Sequence, residues 1–170
     1  MLGFYENFPA NVHRREVFTS SLSGRALQQK LIQIFQKING KNLSFLEVGS
    51  PSVPNCTVIF EWGIADIGGF TYIDEVETKK MLDISAKEHL KVLDLFCGIR
   101  YYKNAATKKT PLRFDYYMMR VGFGENHRVE FQVFHERGPR YISPDELVNF
   151  LVGKVNMASA KKTLKPEESS

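Results

Sequence analysis

Cysteine is almost absent from this chain of 170 residues: Cys56 and Cys97 are the only two, and neither has a second Cys or a His at metal-ligand spacing. Both stand inside strand-like apolar runs, where an unpaired thiol packs as a small hydrophobe. Two buried free thiols are therefore expected, because a disulfide would need an oxidising compartment. Long apolar runs are absent as well. No stretch approaches the roughly 20 residues that cross a bilayer, so no membrane partner is expected. The opening Met-Leu-Gly-Phe-Tyr-Glu-Asn-Phe-Pro has neither the basic nor the apolar block of a signal peptide. The expected location is cytoplasmic.

The common catalytic signatures are also missing. There is no Gly-x-Ser-x-Gly for a hydrolase serine and no Gly-x-x-x-x-Gly-Lys-Ser/Thr to cradle phosphates. No pair among His13, His89, His127 and His135 has the i, i+4 or His-x-His spacing that zinc favours. The acidic residues Asp66, Asp74, Glu75 and Glu77 lack a His or a spaced Asp-x-Asp partner. No metal and no cofactor are expected. Gly68-Gly69 and Gly122-Phe-Gly124 fall between strands and read as turns, not phosphate loops.

What is present is globular material. Hydrophobic residues at 43% and charged residues at 25% exclude a largely disordered chain, and the length suits one domain that buries about 70% of its unfolded surface. A single domain over residues 1–156 is expected, followed by a disordered polar tail over 157–170.

The periodicity points to an α+β fold. Leu27, Leu31, Ile34, Phe35 and Ile38 make one helical stripe, with Ser23 as N-cap, Asn39-Gly40 as stop, and Gln28, Gln29, Gln33, Gln36 and Lys37 on the polar face. Residues 14–20 and 44–48 suggest short strands. Val58, Phe60, Trp62 and Ile64 alternate in a longer one, which turns at Ile67-Gly68-Gly69 and returns over 70–74. Residues 75–90 read as a helical excursion, with Ser85 and Glu88 spaced as a capping box. Leu93, Leu95, Cys97, Ile99 and Tyr101 then alternate onto one face, Leu112, Phe114, Tyr116 and Met118 repeat the pattern, and Val129, Phe131 and Val133 follow after a Gly-containing turn. Ser143-Pro144-Asp145-Glu146 opens a final helix whose apolar face is Leu147, Phe150, Leu151 and Val155. A curved, mostly antiparallel sheet of about six to seven strands, with an N-terminal-half helix and a C-terminal helix on one face, satisfies this order.

Charge is localised. Net charge is +4. Between Arg100 and Arg140 nine basic residues face four acids, a net +5, so the rest of the chain carries −1. Such a segment suggests an anionic partner, nucleic acid included. In Phe114–Val121 both parities are apolar, so a second sheet face needs cover: a ligand, a second copy of the chain in a homodimer, or the N-terminal aromatic residues Phe4, Tyr5 and Phe8.

Three functions follow as expectations. The leading one is a non-enzymatic binding module, with Arg100, Tyr102, Lys103, Lys108, Lys109, Arg113, Tyr117, Arg137 and Arg140 as binding residues and Tyr101 and Tyr116 as further rings for stacking. The second is a carrier of an apolar small molecule, lined by Phe60, Trp62, Leu95, Tyr116, Met118 and Phe131. The third is an enzyme using His135 with Glu136 or Glu130 near the end of the last strand.

Overall fold

The computed structural model describes residues 2–49, 56–104, 109–158 and 162–167. Strand β1 (Arg14–Ser20) leads into helix α1 (Gly24–Ile38). Strand β2 (Leu43–Ser44), a single turn α2 (Phe45–Val48), and strands β3 (Cys56–Asp66) and β4 (Gly69–Tyr72) follow. Helix α3 (Glu75–Lys87) precedes the long strands β5 (Val92–Asn104), β6 (Lys109–Phe123) and β7 (Arg128–Arg137). Helix α4 (Pro144–Met157) and strand β8 (Leu164–Pro166) complete the order.

The strands form one sheet in the order β2-β3-β5-β6-β7-β1-β8, with β4 paired to β3, and every named pair is antiparallel. The expected α+β class is observed. The stripe of α1 is buried, and Ser23 caps it by accepting from the Ala26 amide. Its ring Phe35 lies 4.7 Å from Trp62, while Phe150 of α4 stacks 5.2 Å from Phe60. Both helices therefore cover the same face of β3. In α4 the capping box forms in full, Ser143 and Glu146 each satisfying the other's amide.

Several expectations are corrected. Gln28 does not lie on a polar face. It is fully buried, its Nε2 donating to the Leu90 carbonyl at 2.5 Å and its Oε1 accepting from Ser85 at 3.3 Å. Ser85 thus lies inside α3, whose N-cap is Asp74. Residues 45–48 form a helical turn rather than a strand. Of the expected tail, residues 159–161 and 168–170 lie outside the described residues. Asn156 accepts from the amides of Thr163 and Leu164 and donates to the Leu164 carbonyl, which directs β8 onto β1 and buries Leu164.

The largest correction concerns β6. Arg100 pairs with Phe114 but Tyr102 with Pro111, so two steps along β5 match three along β6. The extra residue is a bulge at Leu112–Arg113, and a one-residue insertion inverts the faces of everything beyond it. Asp115, Tyr117, Met119 and Val121 consequently join Leu93, Leu95, Cys97 and Ile99 in the core, and all eight are fully buried. Phe114, Tyr116 and Met118 turn to the opposite face. The six residues expected to line a carrier cavity are thereby divided: Phe60, Trp62, Leu95 and Phe131 lie in the core, and Tyr116 and Met118 lie on the far side of the sheet.

Candidate functional site: the open face of the sheet

The face turned away from the helices is crossed by the first residues of the chain. Gly3 fits between the ends of β3 and β5, donating to the Ala65 carbonyl and accepting from the Asp94 amide, each at 2.7 Å. Its φ of 86° and the approach of the Val92 carbonyl to where a Cβ would stand require glycine there. The Tyr5 amide donates to the Asp94 carboxylate, which Arg120 also engages through two nitrogens at 2.7 and 2.8 Å. Phe4 and Phe8 then sandwich that guanidinium, with centroids 5.5 and 4.5 Å away. Farther on, the His13 amide reaches the Val133 carbonyl and its ring stacks on Phe134. The N-terminal aromatic residues therefore cover one part of the apolar second face.

The remainder carries a row of rings. From Tyr5 the centroids step 4.9 Å to Phe70, 5.6 Å to Phe96, 5.7 Å to Tyr116 and 6.3 Å to Phe114. The row crosses β4, β5 and β6, and it exists because the bulge delivers Phe114 and Tyr116 to the face that Phe96 already occupies. Tyr116 lies over Gly98, its cross-strand partner, where no side chain lifts the ring away. Phe114 is 45% exposed.

Arginines flank the row. Arg137 stands 5.2 Å from the Tyr116 centroid, and Arg100 lies 5.9 Å from the Tyr102 ring while paired to Glu61 at 2.8 Å. An open groove of about 560 Å³ runs along this end between Arg113, Phe114, Tyr116, Arg137 and Pro139. Glu61, Asp94 and Glu130 are each matched to an arginine. Arg113 and Arg137 have no carboxylate partner among the described residues. Positive charge is left over there.

No family model, curated protein or solved structure matches the chain.

Of the binding residues expected from the sequence, the fold brings Arg100, Tyr102, Arg113 and Arg137 to this face, with Tyr116. It places Lys103 and Tyr117 elsewhere. Lys103 shares the parity of Tyr101 and projects on the opposite side, exposed. Lys109 opens β6 opposite Asn104, and Lys108 lies outside the described residues. Tyr101 and Tyr117 are core residues that no ligand can stack upon, and burial, before any other cause, pushes both phenols above their ordinary value. They remain neutral donors, Tyr117 to the Ile142 carbonyl and Tyr101 to Asp115.

Asp115 is the group the sequence did not reveal. Fully buried, it accepts from Tyr101 Oη (2.6 Å), His135 Nε2 (2.8 Å), the Arg140 amide (2.7 Å) and the Tyr141 amide (2.9 Å). Gly138 and Arg140 have φ of 117° and 61° in the loop so fastened. A Cβ at Gly138 would overlap the Phe114 carbonyl and Asp115 itself. Arg140 thus contributes its amide to a clamp.

His135 takes its carboxylate from Asp115 and not from the acids expected. Glu136 is the extra residue of a second bulge, where Tyr116 pairs with Arg137 and Tyr117 with His135, and it is exposed. Glu130 lies on the open face, paired to Arg15 at 3.0 Å. With four donors on Asp115, the carboxylate serves to hold the 138–141 loop and orient the imidazole. Among the described residues no group of three or more His, Cys, Asp or Glu is placed to hold a metal, and no helix is long and apolar enough to cross a membrane.

Proposed function

We propose that the protein is a non-enzymatic binding module that holds single-stranded nucleic acid on the open face of its sheet. The observation that carries this reading is the ring row Phe70–Phe96–Tyr116–Phe114 with Arg137 and Arg113 beside it, both without a carboxylate partner. Bases stack on such rings without regard to sequence, each stack worth about 1–3 kcal/mol. Arginine serves both as a phosphate ligand and as a cap over a ring. Single strands suit the face because only unpaired bases expose their flat surfaces to side chains.

Fluorescence anisotropy with labelled oligo-dT and oligo-U of about 12 nucleotides tests this. Two or three phosphates within reach of Arg100, Arg113 and Arg137 give a log–log salt slope of about −2. Tyr116→Ala should weaken binding about tenfold at any salt, through one lost stack. Arg137→Ala should instead flatten the salt slope by about 0.7. Absence of saturable binding at low salt would refute the proposal and leave a protein partner for this face.

A further inference from the structure

On the side of the sheet covered by helices, α1 and α4 leave a groove of about 630 Å³. Its floor is apolar, made by Ile34 and Ile38 of α1, Leu43, and Met157, which is 81% exposed. Lys30, Lys37, Lys41 and Lys154 line it, and no carboxylate does so among the described residues. Lys37, Lys41 and Lys154 have no ion-pair partner among those residues, and Lys154 leans on the Phe150 ring at 5.5 Å. An exposed Met within an apolar floor is a feature of adaptable peptide-binding surfaces.

We infer that this groove receives an acidic amphipathic helix of a partner protein. Charge complementarity sets the sign of the partner, and the spread of the lysines sets its form. Lys37 of α1, Lys41 beyond its end and Lys154 of α4 are three separate cations around the groove. One anionic head group, as on a single-chain lipid, cannot match three of them. Carboxylates repeated over two helical turns can, while leucines at i, i+3, i+4 and i+7 between them fill the floor. The inference is independent of the nucleic-acid reading, since the two surfaces lie on opposite sides of the sheet.

The test uses the full chain and a fluorescein-labelled peptide of about 18 residues built from Leu, Glu and Ala in that pattern, beside a counterpart with Lys for Glu. The acidic peptide should bind saturably and shift the methyl resonances of Ile34, Ile38 and Met157, leaving Tyr116 unmoved. The basic counterpart should not bind. Lys37→Glu combined with Lys154→Glu should weaken binding at least about tenfold, and Met157→Glu, at an exposed site, should do the same without disturbing the fold. Failure of the acidic peptide to bind, binding unchanged by these variants, or shifts confined to the ring row would each overturn the inference. So would saturable binding of laurate or of an oligonucleotide in the groove in place of the peptide.

Discussion

Asp115→Asn is the sharpest test of how the fold is held. The replacement keeps the shape of the side chain, so no cavity confuses the result. It removes the charge and half of the acceptor capacity. His135 Nε2 and the Arg140 amide share Oδ1, and Tyr101 Oη and the Tyr141 amide share Oδ2. Whichever oxygen becomes an amide nitrogen, two buried or half-buried donors then face a donor. Each unsatisfied group costs about 1–3 kcal/mol, and stripping a buried polar cluster of its charged member costs about 3–5 kcal/mol. Domains of ordinary stability have about 5–15 kcal/mol, so the variant should fold but weakly. Urea unfolding followed by the fluorescence of buried Trp62 should show a midpoint lower by about 2 M, taking a slope of about 2 kcal/mol per molar. Asp66→Asn, which loosens an exposed pair with Lys80 and leaves an oxygen to accept from the Ile67 amide, should leave the midpoint nearly unmoved. A loss below about 1 kcal/mol for Asp115→Asn would refute the clamp.

Further outcomes follow from the same geometry. His13 should titrate below its ordinary value of 6.5, because desolvation first, then Arg140 and His135, disfavour its charged form. Its contribution to stability is present above pH 6.5 and diminishes as pH falls through that value, since the folded state resists the proton that the unfolded chain accepts; a ring-proton midpoint at or above 6.5 contradicts this. Cys56 and Cys97 are both raised by burial, Cys97 well above the ordinary thiol value. Neither should react with Ellman's reagent until urea unfolds the chain, and rapid labelling of the native protein would count against the core as described. Asp94→Ala removes the carboxylate shared by Arg120 and the Tyr5 amide. It should destabilise by about 3 kcal/mol and strip protection from the amides of residues 3–5 in hydrogen exchange, whereas unchanged protection would show that the segment is held by other contacts.

Legibility in the sequence followed how local each signal was. The stripe and cap of α1, the capping box of α4 and the alternation of β5 depend on near neighbours and were read correctly. Four residues at Phe45–Val48 are too few to distinguish a helical turn from a strand by period. Strand β8 depends on pairing with Phe18–Ser20, far away in the chain, and its polar composition conceals the buried Leu164. The candidate site suffered most from one residue. The alternation Leu112-Phe114-Tyr116-Met118 looks unbroken, yet the bulge separates Leu112, which packs against the core, from the three residues after it. Without that information Tyr117 passes for a ligand-facing ring, and Asp115 for an outward-facing charge. The Arg137–Tyr116 contact and the His135–Asp115 bond come from registers that only the paired strands reveal.

Photo-crosslinking of the intact chain to a 5-iodouridine oligonucleotide, with the crosslinked peptides identified by mass spectrometry, asks directly where a strand lies. Adducts on the peptides carrying Phe96, Phe114 and Tyr116, reduced in Tyr116→Ala, are the result expected if bases rest on the ring row. Adducts confined to Lys103, Lys109 or the helices, with those rings untouched, would place any nucleic acid elsewhere and remove the role assigned to this face.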